Sequence, residues 1–216
     1  MMEPYKILYQ GGEGELVEKK SRFIATTRPV RSEEEAAAFV EEIRKKYWDA
    51  RHNCYAWVTG ERGRLSRCSD DGEPAQTAGR PMLDVLTGEG IRDVCVVVTR
   101  YFGGTLLGTG GLVRAYSGAV QEGLRHSVVV EKLPGRQLQI FTDYNGAGKI
   151  QYVAAQMGIP VQDTEYAEQV TMKMIAPLAQ AEQLIAQVTE RTAGKARIEE
   201  MGEVYYGLAN GEVFLL

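Results

Sequence analysis

Residues 94–117, VCVVVTRYFGGTLLGTGGLVRAYS, decide how the chain is divided into elements. The first nine residues form a nearly continuous apolar run, as expected of a strand covered on both faces. Five glycines then fall within nine positions, 103–111. From Leu112 the apolar residues Leu112, Ala115, Ala119 and Leu124 recur on one side and Arg114, Ser117, Gln121 and Arg125 on another, which predicts an amphipathic helix. Strand, glycine-rich turn and helix N-terminus together form the geometry that cradles phosphates through backbone N–H groups and the helix dipole.

The letters of the turn disagree with the named phosphate motifs. Gly103 and Gly108 have the spacing of a P-loop, but Thr109 stands where lysine is required. Val113 stands where the last glycine of a dinucleotide fingerprint belongs. Three readings stay open: glycines as architecture, an anion or nucleic-acid backbone contact, and a nucleotide site. Arg100 and Arg114 bracket the turn and would supply the charge that backbone amides lack. The candidate anion or nucleic-acid contacts are accordingly Arg51, His52, Arg80, Arg100, Gly103, Gly104, Thr105, Gly108, Thr109, Gly110, Gly111 and Arg114.

Outward from this stretch, SRFIATTRPV (21–30) reads as a strand preceded by a shorter one in GELVEK. Ser32 with Glu35 forms a capping box, and Ala36, Phe39, Val40 and Ile43 form one stripe, predicting a helix that ends near Lys45 and Lys46. Residues 52–69 read as a hairpin linked through Gly60 to Gly63, residues 70–81 as an extended loop, and residues from Pro81 to Gly88 as a short helix. EKLPGRQ (131–137) is the candidate linker, dividing residues 1–134 from 135–216. The remainder alternates as β-α-β-β-α-β, the ferredoxin-like split motif. The fold class is α+β.

Two clusters are candidates for chemistry. His52 and Cys54 lie at i and i+2, one face of a strand, and admit either a Cys/His nucleophile or a packed strand with a buried thiol. Adding Cys68 matches no zinc spacing, so no metal is assigned. Asp70, Asp71 and Glu73 form a candidate acidic site for Mg²⁺ or paired-carboxylate work, or else a solvated turn. Tyr55, Trp57, Tyr101, Phe102 and Tyr116 are candidate stacking aromatics, most of them destined for core by strand alternation.

Of 216 residues, 44% are hydrophobic, enough to bury a core, and the apolar run is far shorter than a membrane span. No targeting peptide is visible and the three cysteines form no stapled framework, so a cytoplasmic protein is expected. Residues 1–134 balance 19 Lys and Arg against 19 Asp and Glu, whereas residues 135–216 carry 6 against 10. Thirteen of the nineteen cations in the first part are arginine, the side chain suited to phosphates and aromatic faces. Any nucleic-acid surface there must be local.

Four stretches in this order, KKSRFIA, HNCYAW, SDDGEPAQTAGRPML and RYFGGTLLGTGGLVRAY, resemble the IMPACT/YigZ family, and the C-terminal part resembles the second domain of its bacterial and archaeal members. The resemblance implies an N-terminal domain of the ribosomal protein S5 domain 2-like type with a left-handed βαβ crossover, a rare exception to the handedness rule. It further implies a domain pair like domains IV and V of elongation factor G. Eukaryotic members restrain the amino-acid-starvation kinase by competing for its ribosome-associated activator. Those members carry an extra N-terminal interaction domain, whereas here the family core begins within the first twenty residues, so the translation-linked context is carried over and the kinase role is not.

The expected function is a non-enzymatic regulator binding RNA or the ribosome through the N-terminal domain, without a cofactor. The acidic C-terminal domain offers a docking face for a protein partner. The alternative is an enzyme or small-molecule binder acting on a phosphorylated or nucleotide ligand at the glycine turn.

Overall fold

The run Val94–Tyr101 is the central strand of a sheet in a computed structural model that describes residues 2–60, 63, 65–209 and 212–215. The chain divides into two units, one spanning Tyr5–Val130 and the other formed from Glu131 onward together with the segment before Tyr5.

In the first unit the strands are β1 (Tyr5–Gln10), β2 (Glu13–Glu18), β3 (Ser21–Pro29), β4 (His52–Thr59), β5 (Leu65–Ser69), β6 (Ile91–Arg92) and β7 (Val94–Tyr101). Its helices are α1 (Glu33–Lys46), α2 (Gly79–Gly88) and α3 (Gly108–Arg125). Five strands form an antiparallel sheet in the order β2-β3-β7-β4-β5. The apolar run is continuous because helices cover both faces of β7. Val94, Val96 and Val98 pack in a core with Leu86 of α2 and Tyr116 of α3, while Cys95 and Val97 pack against Phe39 and Ile43 of α1. The α1 boundaries follow the capping signals, with Ser32 Oγ accepting from Glu35 N and Glu35 Oε2 accepting from Arg31 N. The hairpin of β4 and β5 forms as expected, and Glu61, Arg62 and Arg64 of its link lie outside the described residues.

Two helices begin earlier than the sequence indicates. α3 starts at Gly108, so Gly108, Gly110 and Gly111 belong to its first turn. Gly108 enters the helix at φ 70°, a left-handed conformation that glycine adopts without steric cost. α2 starts at Gly79, two residues before Pro81, because the Asp70 carboxylate reaches its N-terminus. Asp70 Oδ1 accepts from Ala78 N (2.9 Å) and Gly79 N (2.8 Å), and Oδ2 accepts from Gln76 N (2.8 Å).

The second unit contains most of β8 (Val128–Thr142), then α4 (Tyr144–Gln156), β9 (Val161–Tyr166), β10 (Val170–Pro177), α5 (Ala181–Arg191), β11 (Arg197–Ala209) and β12 (Glu212–Leu215). The order β9-β10-β8-β11 with both helices on one core is ferredoxin-like, and β12 extends it beyond β11. Asp143 caps α4 by accepting from Gly146 N at 2.6 Å.

The expected linker 131–137 is instead part of β8. Pro134 pairs with Tyr205, and its carbonyl accepts from Leu178 N at 3.2 Å, so the missing N–H does not end the ladder. Gly135 answers a close approach, since a Cβ there would lie 2.6 Å from Ile175 Cγ2 and 2.8 Å from Tyr206. β1, β6 and β12 had no signal in the sequence reading; β6 is two residues long.

Both tryptophans, Trp48 and Trp57, lie in the first unit, so their fluorescence in urea melts reports that unit. A Cβ on Gly103 would fall 2.0 Å from the Lys20 carbonyl carbon, whereas one on Gly88 meets nothing within 4 Å. G103A is expected to destabilise the unit by at least about 1–3 kcal/mol. G88A, at the end of a helix, should be neutral or stabilising by up to about 1 kcal/mol. Burial raises the Asp70 pKa, but the N–H groups of Gln76, Ala78, Gly79 and Thr77 together hold it below the usual carboxylate value. A folded-state pKa below the unfolded one gives stability that is present at neutral pH and lost as pH falls through the folded value. D70A should therefore cost about 1–2 kcal/mol at pH 7, and the gap to the wild type should close in melts carried into the acid range.

Candidate functional site

The loop between β5 and α2 builds the site. Asp71 (φ 42°) and Gly72 (φ 86°) adopt consecutive left-handed conformations, which turn the chain sharply after Asp70. Their consequence is that three neighbouring carboxylates point to three different places. Asp70 caps α2. Asp71 accepts from Asn53 N through Oδ2 and from Arg44 Nη2 through Oδ1, both at 2.7 Å. Glu73 turns inward to 8% exposure, where Oε1 accepts from Arg100 Nη1 (2.6 Å) and from the Tyr116 hydroxyl (2.8 Å). The acids do not converge, and no group of three or more His, Cys, Asp or Glu among the described residues is placed to hold a metal ion.

Cys54 belongs to the same buried network. Its thiol donates to the Asp70 carbonyl at 3.0 Å and lies 3.4 Å from the Tyr116 hydroxyl. Burial pushes the thiol pKa far up, and the carboxylates of Glu73, Asp71 and Asp70 add to this. A thiol so buried and hydrogen-bonded is the opposite of an activated thiolate and fits the packed-strand alternative. Burial likewise raises the Tyr116 phenol, so its proton stays on the bond to Glu73. The ring of Tyr116 meets Phe23 edge-on, with centroids 5.1 Å apart.

Sheet register brings the cationic residues together. Arg100 of β7 lies opposite His52 of β4 on one side and Phe23 of β3 on the other, so all three share a face. At that end of the sheet a cleft of about 380 Å³ is lined by Asp49, Arg51, His52, Arg100, Tyr101, Phe102 and Leu106. Arg100, expected to bracket the glycine turn as a free cation, is buried, paired with Glu73, and flanked by the rings of Phe23 (5.4 Å) and Phe102 (5.7 Å). His52 Nδ1 lies 2.9 Å from the Asp71 carbonyl, an atom that only accepts, so Nδ1 carries the proton and Nε2 is the nitrogen left for a ligand. Tyr101 donates to Asp49 at 2.7 Å, and its pKa is pushed up to about 12 by burial and by that bond.

The remaining predicted residues lie outside the cleft lining. Arg80 pairs with Asp84 one turn along α2. Arg114 is exposed on α3, with Nη1 3.7 Å from where a Gly110 Cβ would stand. Gly103 N donates to Ser21 Oγ at 3.1 Å, which takes that amide away from a ligand. Gly104, Thr105, Gly108, Thr109 and Gly110 are exposed and Gly111 is half-buried at the start of α3, a helix without a side-chain cap. The sequence carries no sign of Asp49 and Leu106, which lie beyond the ends of β4 and β7 and join the lining only through the fold.

Comparison with known proteins agrees along the whole chain. Residues 19–124 match the Impact N-terminal domain, and residues 140–195 match a domain of unknown function, DUF1949. The chain is 41% identical over 206 residues to the IMPACT family member YvyE of Bacillus subtilis, covering 95% of this chain and 94% of that protein. It is 38% identical over 182 residues to the IMPACT family member YigZ of Escherichia coli, covering 83% and 89%. A crystal structure of a hypothetical protein, 35% identical, covers 94% of this chain and 99% of its own with a TM-score of 0.58. The α+β fold is thus an S5 domain 2-like unit followed by a ferredoxin-like one. With matches of this identity and extent across both units, the chain belongs to the IMPACT family.

Proposed function

We propose that the protein is a non-enzymatic, translation-linked module of the cytoplasm that binds RNA, free or within the ribosome, through the unit Tyr5–Val130. The observation that carries this reading is the cleft at the end of β4 and β7, where Arg51, His52 and Arg100 meet Tyr101, Phe102 and Leu106. A cation beside exposed aromatic surface is the pairing that phosphates and bases require. Arg51 is exposed and makes no ion pair among the described residues, so its charge is available to a phosphate. The uncapped start of α3 with Arg114 beside it is a second place for backbone phosphate, favoured by the helix dipole. Family membership supports the link to translation, since the resemblance implies that context for its members.

The competing reading, an enzyme acting on a phosphorylated or nucleotide ligand at the glycine turn, needs acids free for Mg²⁺ and loop amides free for phosphate. Asp70, Asp71 and Glu73 already accept from protein donors, and the Gly103 amide is held by Ser21. The unit from Glu131 onward, with 6 cations against 10 anions from residue 135 to the end, fits a protein partner better than a phosphate chain.

Titrating the intact protein with RNA across a salt series tests the reading. Affinity should fall with a log-log slope of about −0.7 per phosphate neutralised on single strands. The doubly reversed variant R51E/R114E should shed roughly two phosphates' worth of that slope and lose ribosome co-sedimentation, with its melting unchanged because both side chains are exposed. RNA affinity indifferent to salt, or unaltered in R51E/R114E, would overturn the proposal.

A further inference from the structure

The cleft is asymmetric in a way that speaks to what enters it. One wall is apolar and open, with Phe102 55% exposed and Leu106 82% exposed. The other presents the Arg51 cation and His52, whose Nε2 alone remains for a ligand. Arg100, itself only 8% exposed, lines the cleft between them, and its Nε is buried with no hydrogen-bond partner among the described residues. Buried guanidinium N–H groups are rarely left without an acceptor in folded proteins. A ligand that answers all three features carries a flat apolar face, an edge of hydrogen-bond acceptors and a negative charge.

Size narrows the choice. About 380 Å³ lies near the lower end of small-molecule sites and accommodates one nucleotide. Bases in a duplex are stacked and paired, and the deep, narrow major groove of A-form RNA keeps side chains from their edges, so a duplex offers Phe102 no base face. An unpaired base has a free face and a free edge.

On the basis of the RNA reading above, we propose that the cleft binds one unpaired nucleotide, its base against Phe102 and Leu106, its acceptor edge toward Arg100 and His52, and its phosphate on Arg51. Single-stranded RNA is the ligand class this selects, and a free ribonucleotide is the other source of the same chemistry. Arg100 here is a base-reading residue held in place by Glu73, and Phe102 is the stacking platform.

The experiment uses the intact protein with a labelled single-stranded RNA of about a dozen nucleotides, long enough to exceed one binding site. The same strand annealed to its complement and the four ribonucleoside 5′-monophosphates complete the set. The single strand should bind at least about tenfold tighter than the duplex. F102A should weaken it by roughly 5- to 150-fold, the range for losing one stacked base. Phe102 is exposed, so an unchanged tryptophan-fluorescence melt confirms that F102A is folded. R100K, which keeps the charge and loses the fork, should weaken binding further for purines and pyrimidines to different degrees. Equal binding of single strand and duplex, insensitive to F102A, overturns the single-nucleotide site and leaves RNA binding standing. Monophosphates bound with F102A sensitivity while RNA is not bound keep the site and overturn the RNA reading. Absence of binding to every probe overturns both.

Discussion

A carboxylate buried from water must be met by donors or it will not stay charged. Glu73 meets this constraint with Arg100 on one side and Tyr116 on the other, and those two residues come from β7 and α3. One side chain thereby ties the β5–α2 loop to the central strand and to the helix after the glycine turn. Removing one member of such a buried pair costs about 3–5 kcal/mol because the other charge is left unmatched. The loop in turn supplies Asp70 to cap α2 and Asp71 to fix Asn53, Arg44 and His52, so the acidic run clamps the loop to its neighbours. Its left-handed turn at Asp71 and Gly72 aims each carboxylate separately.

The glycines divide between packing and openness. Gly103 is a matter of packing, pressed against the Lys20 backbone at the point where β3 begins and β7 ends. Gly104 and Gly108 stand in open space but adopt φ of 84° and 70°, the left-handed region that favours glycine, so the turn's backbone demands them, whereas Gly110 stands beside a flexible arginine. Architecture thus explains Gly103, Gly104 and Gly108. The exposed glycines leave the start of α3 with Thr109 as its one side chain before Leu112, so that any anion contact there would be made by backbone, Thr109 and Arg114.

Much of this was legible in the sequence because it rests on local rules. The capping box placed α1 within a residue, and unbroken apolarity identified β7 as covered on both faces. What failed depended on partners remote in sequence. EKLPGRQ carries every mark of a linker, yet Gly135 is there to admit Tyr206 and Ile175, and Pro134 still offers its carbonyl. Pro81 pointed to a helix start, but Asp70 moved it to Gly79 by capping from outside the helix. Arg100 looked like a free cation because nothing local reveals that Glu73, 27 residues earlier, turns inward. Of the candidate site, the residue types were readable and their grouping was not. His52 and Arg100 are neighbours only through the antiparallel pairing of β4 with β7.

That pairing also explains why a cleft forms at this end of the sheet and not along its middle. Toward Val94 the face that bears Arg100 is filled by α2 and α3, and every inward residue of β7 is apolar and buried. At Arg100 the cover changes from a helix to the Glu73 loop, and the inward position takes a charge that the loop can match. Beyond it the strand ends, leaving Phe102 and Leu106 without a layer above them. The rings of Phe23 and Phe102 lie 5.4 and 5.7 Å from the guanidinium and Glu73 fixes one of its nitrogens, so the side chain is left little freedom. On the proposal that a nucleotide enters this cleft, a floor ordered by folding rather than by binding lowers the ordering cost of association.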